Sequence, residues 1–105
     1  MRDEINVTFK KNHVAVVEFC ISTINFFSSD FISGMADTFD QLYENDDVRV
    51  SVLCSQGKHF CAGADFSGDS NGNDTLGLYA GAVRIFRCRK PSIAAIHGAA
   101  IGGGL

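Results

Sequence analysis

The sequence predicts an α/β fold, in which strands and helices alternate along the chain. Two segments, Phe31 to Leu42 and Leu76 to Phe86, have apolar residues at helical spacing. Each is followed by a short apolar run, 48–54 and 92–97, with the length of a buried strand. Because such strands need helices to cover them, we expect a sheet with helices packed against it.

The first predicted elements form a β-hairpin, with a strand over 5–9, a polar turn over 10–13 and a strand over 14–19. The segment 20–27 is irregular by pattern. Three residues are candidate N-caps of the first helix, namely Ser28, Ser29 and Asp30. The sequence 45–47 is typical of a helix end.

The next strand has three valines that predict one apolar face, Val48, Val50 and Val52. The polar, glycine-rich sequence 67–74 predicts an exposed loop. In the second helix Leu76, Tyr79, Val83 and Phe86 recur at helical spacing and predict an apolar side that faces the core. Basic residues gather towards its C-terminal end, where the helix dipole favours them, and Pro91 is expected to stop it.

Length and composition exclude several classes of protein. At 105 residues the chain can form at most one small domain, and its 46% hydrophobic and 20% charged residues are ordinary for a globular protein. A net charge of −3 without a basic block argues against nucleic-acid binding. The charged N-terminus leads into no signal-peptide core, and the longest apolar run is too short for a membrane span.

The cysteines indicate a reducing compartment. Four of them are scattered without a C-x-x-C pair, namely Cys20, Cys54, Cys61 and Cys88. We interpret them as reduced thiols, most of them in the core, and expect a cytoplasmic protein. A metal site from His59, Cys61 and Asp65 is an alternative, but the spacing fits no standard ligand pattern.

Two small-residue segments each follow a predicted buried strand. The first is Ala62-Gly63-Ala64, and the second is Gly102-Gly103-Gly104. Small residues leave backbone N–H groups accessible, and two such groups aimed at one point form an oxyanion hole. Tight turns with close backbone packing are the alternative for each segment alone. The sequence cannot show that the two segments converge in space.

These two segments carry a resemblance to a known family. The sequence 58–66, KHFCAGADF, resembles the F-x-A-G-A-D-[LIF] signature of the crotonase superfamily, also called the enoyl-CoA hydratase/isomerase family. The sequence 90–105, KPSIAAIHGAAIGGGL, resembles its second signature, which begins K-P and ends in three glycines. The order of the signatures and the interval between them also fit, so the resemblance covers essentially the whole chain.

The resemblance implies roles for six residues. The backbone N–H groups of Ala64 and Gly103 would be the oxyanion-hole donors. The backbone of Ala62 would help to hold the CoA adenine. The remaining substrate-binding positions would be Gly63, Asp65 and Gly102, with Asp65 shaping the turn.

The resemblance also implies a fold and an activity. The fold would be a partial crotonase-type spiral of ββα turns, truncated before the helix that follows the Gly-rich segment. Residues 1–105 would be the N-terminal part of a single crotonase-like domain. The substrate would be an acyl-CoA thioester whose enolate is stabilised in the hole, with hydration of a 2-enoyl-CoA expected first and double-bond isomerisation second. No metal or tightly bound redox cofactor is implied, since CoA is part of the substrate, and the intact form would be a trimer or a hexamer.

The chain departs from the family pattern in two places. In hydratases one catalytic Glu lies three residues beyond the last glycine and a second lies further on, and both positions would fall after Leu105. The segment 19–27 replaces a sequence that is L-N-R-P-like in the family. The general acid and base are therefore unassigned. The part of the substrate pocket that segment 19–27 would form is expected to differ from that of the family.

Two other functions remain as alternatives. A chain without the catalytic half would be an inactive fragment or an interaction-only remnant. The sequence 68–72 matches the G-x-S-x-G nucleophile elbow, which would make Ser70 the nucleophile of a serine hydrolase. No apolar strand precedes Ser70, so a surface loop is the favoured interpretation of that match.

Overall fold

The structure is a computed structural model, which describes residues 4–21, 26–61, 63–64 and 73–101. It contains two helices and two small sheets within these residues. The elements are β1 (Glu4–Lys10), β2 (Val14–Cys20), β3 (Phe26–Phe27), α1 (Ser29–Glu44), β4 (Val50–Ser55), β5 (Gly63–Ala64), α2 (Asn73–Phe86) and β6 (Ser92–Ala94).

The larger sheet has the strand order β1-β2-β4-β6. The predicted hairpin is confirmed: β1 and β2 pair antiparallel, with Ile5 opposite Phe19. Strands β2, β4 and β6 are parallel, with Val16 opposite Val52 and Val52 opposite Ile93. Helix α1 connects β2 to β4 and α2 connects β4 to β6, so the expectation of an α/β fold is confirmed.

The core lies between the sheet and α1. Alternate side chains of β2 are fully buried, as the period of a strand requires when one face is covered. The apolar face of α1 packs over them. The residues of this core are Ala15, Val17, Phe19, Phe31, Ile32, Met35, Phe39, Leu42, Val48, Phe60 and Cys61.

Helix α1 has the start that its sequence predicts. Ser28 is the N-cap, and its hydroxyl accepts a hydrogen bond from the Phe31 N–H at 3.1 Å. At the other end, the Lys90 ammonium donates to the carbonyl oxygens of Leu42 and Asn45 at 2.8 and 2.7 Å. Lys90 therefore caps α1, whereas the sequence pattern assigned it to the end of α2.

Three predictions about the second half of the chain are wrong. Helix α2 ends at Phe86, well before Pro91, so the proline does not terminate it. Strand β6 is exposed along its whole length, although its apolar sequence predicted a buried strand. In β4 the buried positions are Ser51 and Ser55, while Val50 and Val52 are only half-buried and the buried Val48 precedes the strand.

The predicted apolar face of α2 is also not a core face in this structure. Its residues are exposed, and they are Leu76, Tyr79, Val83 and Phe86. The helix instead turns a side with Gly77 and Gly81 towards α1, where an ideal Cβ on Gly77 would lie 3.3 Å from the Ser29 Cβ. On the surface, Arg84 of α2 forms ion pairs with two residues of α1. Its Nη2 lies 2.7 Å from Asp37 Oδ1 and 2.6 Å from Asp40 Oδ2.

We expect Gly81→Ala to destabilise the protein by about 1–3 kcal/mol, because the new Cβ would overlap Cγ2 of Ile32. Isoleucine is branched at Cβ and has little rotational freedom to move away. Gly34→Ala is the matched control, since its Cβ would lie at an ordinary 3.6 Å from Ile5 Cδ1. It should stabilise α1 by about 1 kcal/mol. Urea denaturation measures both, and equal effects of the two variants would contradict the close helix contact.

Candidate functional site

Residues 57–61 and 97–101, about forty residues apart in sequence, lie side by side in the structure, and we call them the paired segments. The Phe60 N–H donates to the His97 carbonyl at 2.9 Å, and the Cys61 N–H donates to the Ala99 carbonyl at 3.1 Å. The Ile101 N–H returns a hydrogen bond to the Cys61 carbonyl at 3.0 Å. Residues 60–61, which lead into the first small-residue segment, therefore run beside residues 97–101, which lead into the second.

Only part of the predicted site lies in the described residues. Gly63 and Ala64 form β5, which pairs in parallel with β3, Phe26 opposite Gly63 and Phe27 opposite Ala64. Neither of these short strands was predicted from the sequence. Four predicted site residues lie outside the described residues, and they are Ala62, Asp65, Gly102 and Gly103.

Gly63 lies beside the backbone of Ile101. Its φ of 113° is one that residues with a side chain rarely adopt. An ideal Cβ at this position would lie 3.5 Å from the Ile101 carbonyl oxygen. The backbone conformation therefore favours glycine at this position, whereas the Ile101 carbonyl oxygen would leave room for a Cβ.

Cys61 is a buried structural residue rather than a nucleophile. The Gly63 N–H donates to its sulfur at 3.3 Å, and the thiol donates to the Gly63 carbonyl at 3.5 Å. Burial raises the pKa of the Cys61 thiol, and hydrogen bonds with the backbone of Gly63 and Phe27 offset this only in part. The thiol is therefore protonated at neutral pH, and the four cysteines, all of them within the described residues, form no disulfide bond.

The alternative sites receive little support. Across the described ranges, no group of three His, Cys, Asp or Glu side chains is placed to hold a metal ion. Asp65, the third ligand of the hypothetical metal site, and Ser70, the hypothetical hydrolase nucleophile, lie outside the described residues. His97 is hydrogen-bonded, with Nε2 at 2.8 Å from the Gly57 carbonyl oxygen.

One cavity of about 380 Å³ lies away from the two segments, between the C-terminal ends of α1 and α2. Its lining residues are Asp40, Tyr43, Arg84, Arg87, Cys88 and Arg89. None of them belongs to the paired segments, and Arg84 is already engaged by Asp37 and Asp40. The paired segments remain the candidate site.

Sequence comparison identifies the class of protein. The model of the enoyl-CoA hydratase/isomerase family matches residues 9–105. The peroxisomal Δ(3,5)-Δ(2,4)-dienoyl-CoA isomerase of Arabidopsis thaliana is 38% identical over 102 residues, which cover 80% of this chain and 37% of the relative. A probable enoyl-CoA hydratase of Bacillus subtilis is 36% identical, over 88% of this chain and 38% of its own length.

The solved structures agree with the sequence relatives. A crystal structure described as an enoyl-CoA hydratase/isomerase (crotonase) from Legionella pneumophila superposes with a TM-score of 0.80 at 32% identity. The match covers 97% of this chain and 43% of that one. This chain thus spans about two fifths of the length of each of these three proteins.

The chain belongs to the enoyl-CoA hydratase/isomerase family and has the crotonase-type fold. The family resemblance seen in the two signatures is therefore confirmed. In the part of the chain that the structure describes, neither helix is long and apolar enough to cross a bilayer.

Proposed function

We propose that the protein binds an acyl-CoA thioester and stabilises its enolate through the backbone N–H groups of Ala64 and Gly103. One observation carries this proposal: the Ile101 N–H is hydrogen-bonded to the Cys61 carbonyl, and Ile101 O lies beside Gly63. Ala64 follows Gly63 directly, and Gly103 lies two residues beyond Ile101. Two N–H groups in this neighbourhood would share the charge that develops on the thioester oxygen.

The reaction that we infer first is hydration of a 2-enoyl-CoA. Addition of water to the double bond gives the thioester oxygen enolate character, which is the charge that the hole would stabilise. Hydration also needs a general acid and base, and the family resemblance assigns these to carboxylates beyond Gly104. Ala62, Gly63, Asp65 and Gly102 would shape the CoA-binding side of the site, without a metal or redox cofactor.

Isomerisation of a dienoyl-CoA is the second candidate, favoured by the Arabidopsis relative that is named for this reaction. Both reactions use the same hole and differ in the placement of the proton-transferring groups. The wider context is also proposed: residues 1–105 would form the N-terminal part of one domain of a trimeric or hexameric enzyme. We propose the cytoplasm as its location, although one relative carries a peroxisomal name.

The test is to incubate the full-length protein with a 2-enoyl-CoA and with a 3,5-dienoyl-CoA, and to identify the products by mass spectrometry and ultraviolet absorbance. We expect the 2-enoyl-CoA product to gain the mass of one water molecule. A rearranged dienoyl-CoA of unchanged mass would favour the isomerase instead. If the protein binds CoA thioesters but converts neither substrate, the result would favour the non-catalytic remnant. If it neither binds nor converts them, the proposal is refuted.

A further inference from the structure

The two paired segments are also joined by two histidine side chains that cross in opposite directions. His59 Nδ1 accepts a hydrogen bond from the Ala99 N–H at 2.9 Å. His97 Nε2 lies 2.8 Å from the Gly57 carbonyl oxygen. Each ring thus bonds to the backbone of the other segment. We name these two histidines and their backbone partners Ala99 and Gly57 the histidine clasp.

The partners determine where the ring protons lie. A carbonyl oxygen only accepts, so His97 Nε2 carries a proton and donates it to Gly57. A backbone N–H only donates, so His59 Nδ1 carries no proton and accepts from Ala99. His59 therefore takes part through an unprotonated Nδ1, and a side chain that replaces it has to place a hydrogen-bond acceptor at that position.

Gly98, between His97 and Ala99, allows the backbone to pack closely against Lys58 and His59. Its φ is 64°, and an ideal Cβ would overlap the Lys58 carbonyl oxygen and lie 2.8 Å from His59 Nδ1. Any side chain here would push the turn away from the His59 ring. The hydrogen bonds of the histidine clasp therefore flank a close backbone contact at Gly98.

The clasp holds the chain that leads to the predicted second donor. Ala99 is fixed at both of its polar groups, at its N–H by His59 and at its carbonyl oxygen by the Cys61 N–H. Two residues later the Ile101 N–H donates to the same Cys61 backbone unit. Gly103 follows Ile101 by two residues in the sequence, so Ala99 and Ile101 are the last hydrogen-bonded points before it in the described chain.

We propose that His59 is a positioning residue, which fixes the second segment through Ala99 so that the N–H of Gly103 is aligned with that of Ala64. This inference rests on the proposed oxyanion hole and adds the residue that aligns it. His59 acts through the backbone and needs no contact with the substrate. An oxyanion-hole donor has to be held close to its productive geometry, so a small shift of the segment would lower the rate of the chemical step.

The test compares His59→Ala with His59→Asn in the full-length protein. Alanine removes the acceptor, whereas the side-chain oxygen of asparagine can accept from the Ala99 N–H. We expect His59→Ala to speed amide hydrogen exchange at Ile101 about tenfold, the loss of about one hydrogen bond. It should lower kcat for a 2-enoyl-CoA by about ten- to a hundredfold with little change in KM, and His59→Asn should restore both quantities.

The control is His13→Asn, because His13 also bonds to a distant backbone carbonyl, that of Asp47, but outside the site. It should leave Ile101 exchange and kcat unchanged. Unchanged Ile101 exchange in His59→Ala would overturn the inference, and so would faster exchange with a normal kcat. If the wild-type protein converts no CoA thioester, the proposed function fails, and with it the role in catalysis, while the exchange data still decide whether His59 fixes the register.

Discussion

Replacement of Gly103 by proline should lower kcat for the CoA thioester by about 10²–10³-fold or more. Proline has no N–H, so the variant would lose the second donor of the proposed oxyanion hole while the first, on Ala64, remains. Removal of one such donor has this effect in other enzymes with oxyanion holes, because the hydrogen bond strengthens as the oxygen becomes charged. Steady-state kinetics of the full-length protein measure the change.

Gly103→Ala is the control, since it keeps the N–H and adds only a methyl group. It should retain much more activity than the proline variant. Thermal unfolding of both variants separates a lost donor from a lost fold, because a loss of the donor alone leaves the melting temperature close to that of the wild type. A proline variant with near-normal kcat would refute the assignment of Gly103.

Replacement of Phe19 by alanine should reduce the free energy of unfolding by about 3–5 kcal/mol. Phe19 is fully buried, and its ring lies 5.3–5.4 Å, centroid to centroid, from those of Phe27, Phe31 and Phe60. These rings come from β2, β3, α1 and the segment before β5, so a cavity here would loosen four parts of the fold at once. Such a loss is a large fraction of the stability of a typical domain.

Phe9→Ala is the matched control for Phe19→Ala. Phe9 lies on the neighbouring strand β1 and is 60% exposed. Its loss should therefore change stability by no more than about 0.5 kcal/mol. Urea denaturation followed by circular dichroism measures both variants. A cost below about 1 kcal/mol for Phe19→Ala would contradict the aromatic cluster as the centre of the core.

Elements whose signals lie in consecutive residues, such as the first hairpin and α1, could be predicted from the sequence. The hairpin β1–β2 follows from alternation around a polar turn, and α1 follows from Ser28 together with apolar residues at helical spacing. Both signals act over a few residues, so they are complete in the sequence. The pairing of β3 with β5 joins residues far apart in the chain through two-residue strands, too short to leave a pattern.

Helix α2 shows what periodicity cannot decide. The spacing of Leu76, Tyr79, Val83 and Phe86 marks one apolar face correctly, but it does not say what covers that face. The described chain leaves the face exposed, and packs α2 on α1 through the side that carries Gly77 and Gly81 instead. Burial is a property of the neighbouring surface, which a one-dimensional pattern does not contain.

The candidate site also combines features that the sequence predicts with features that only the tertiary structure shows. The sequence by itself determined the family, through two glycine- and alanine-rich signatures, and the residue types that leave N–H groups accessible. Only the tertiary structure decided that the segments around Cys61 and Ala99 lie together, and that His59 reaches across forty residues to the Ala99 N–H. Hydrogen bonds of this kind depend on how the sheet and its connections bring distant backbone groups within 3 Å, and no spacing along the chain encodes that distance.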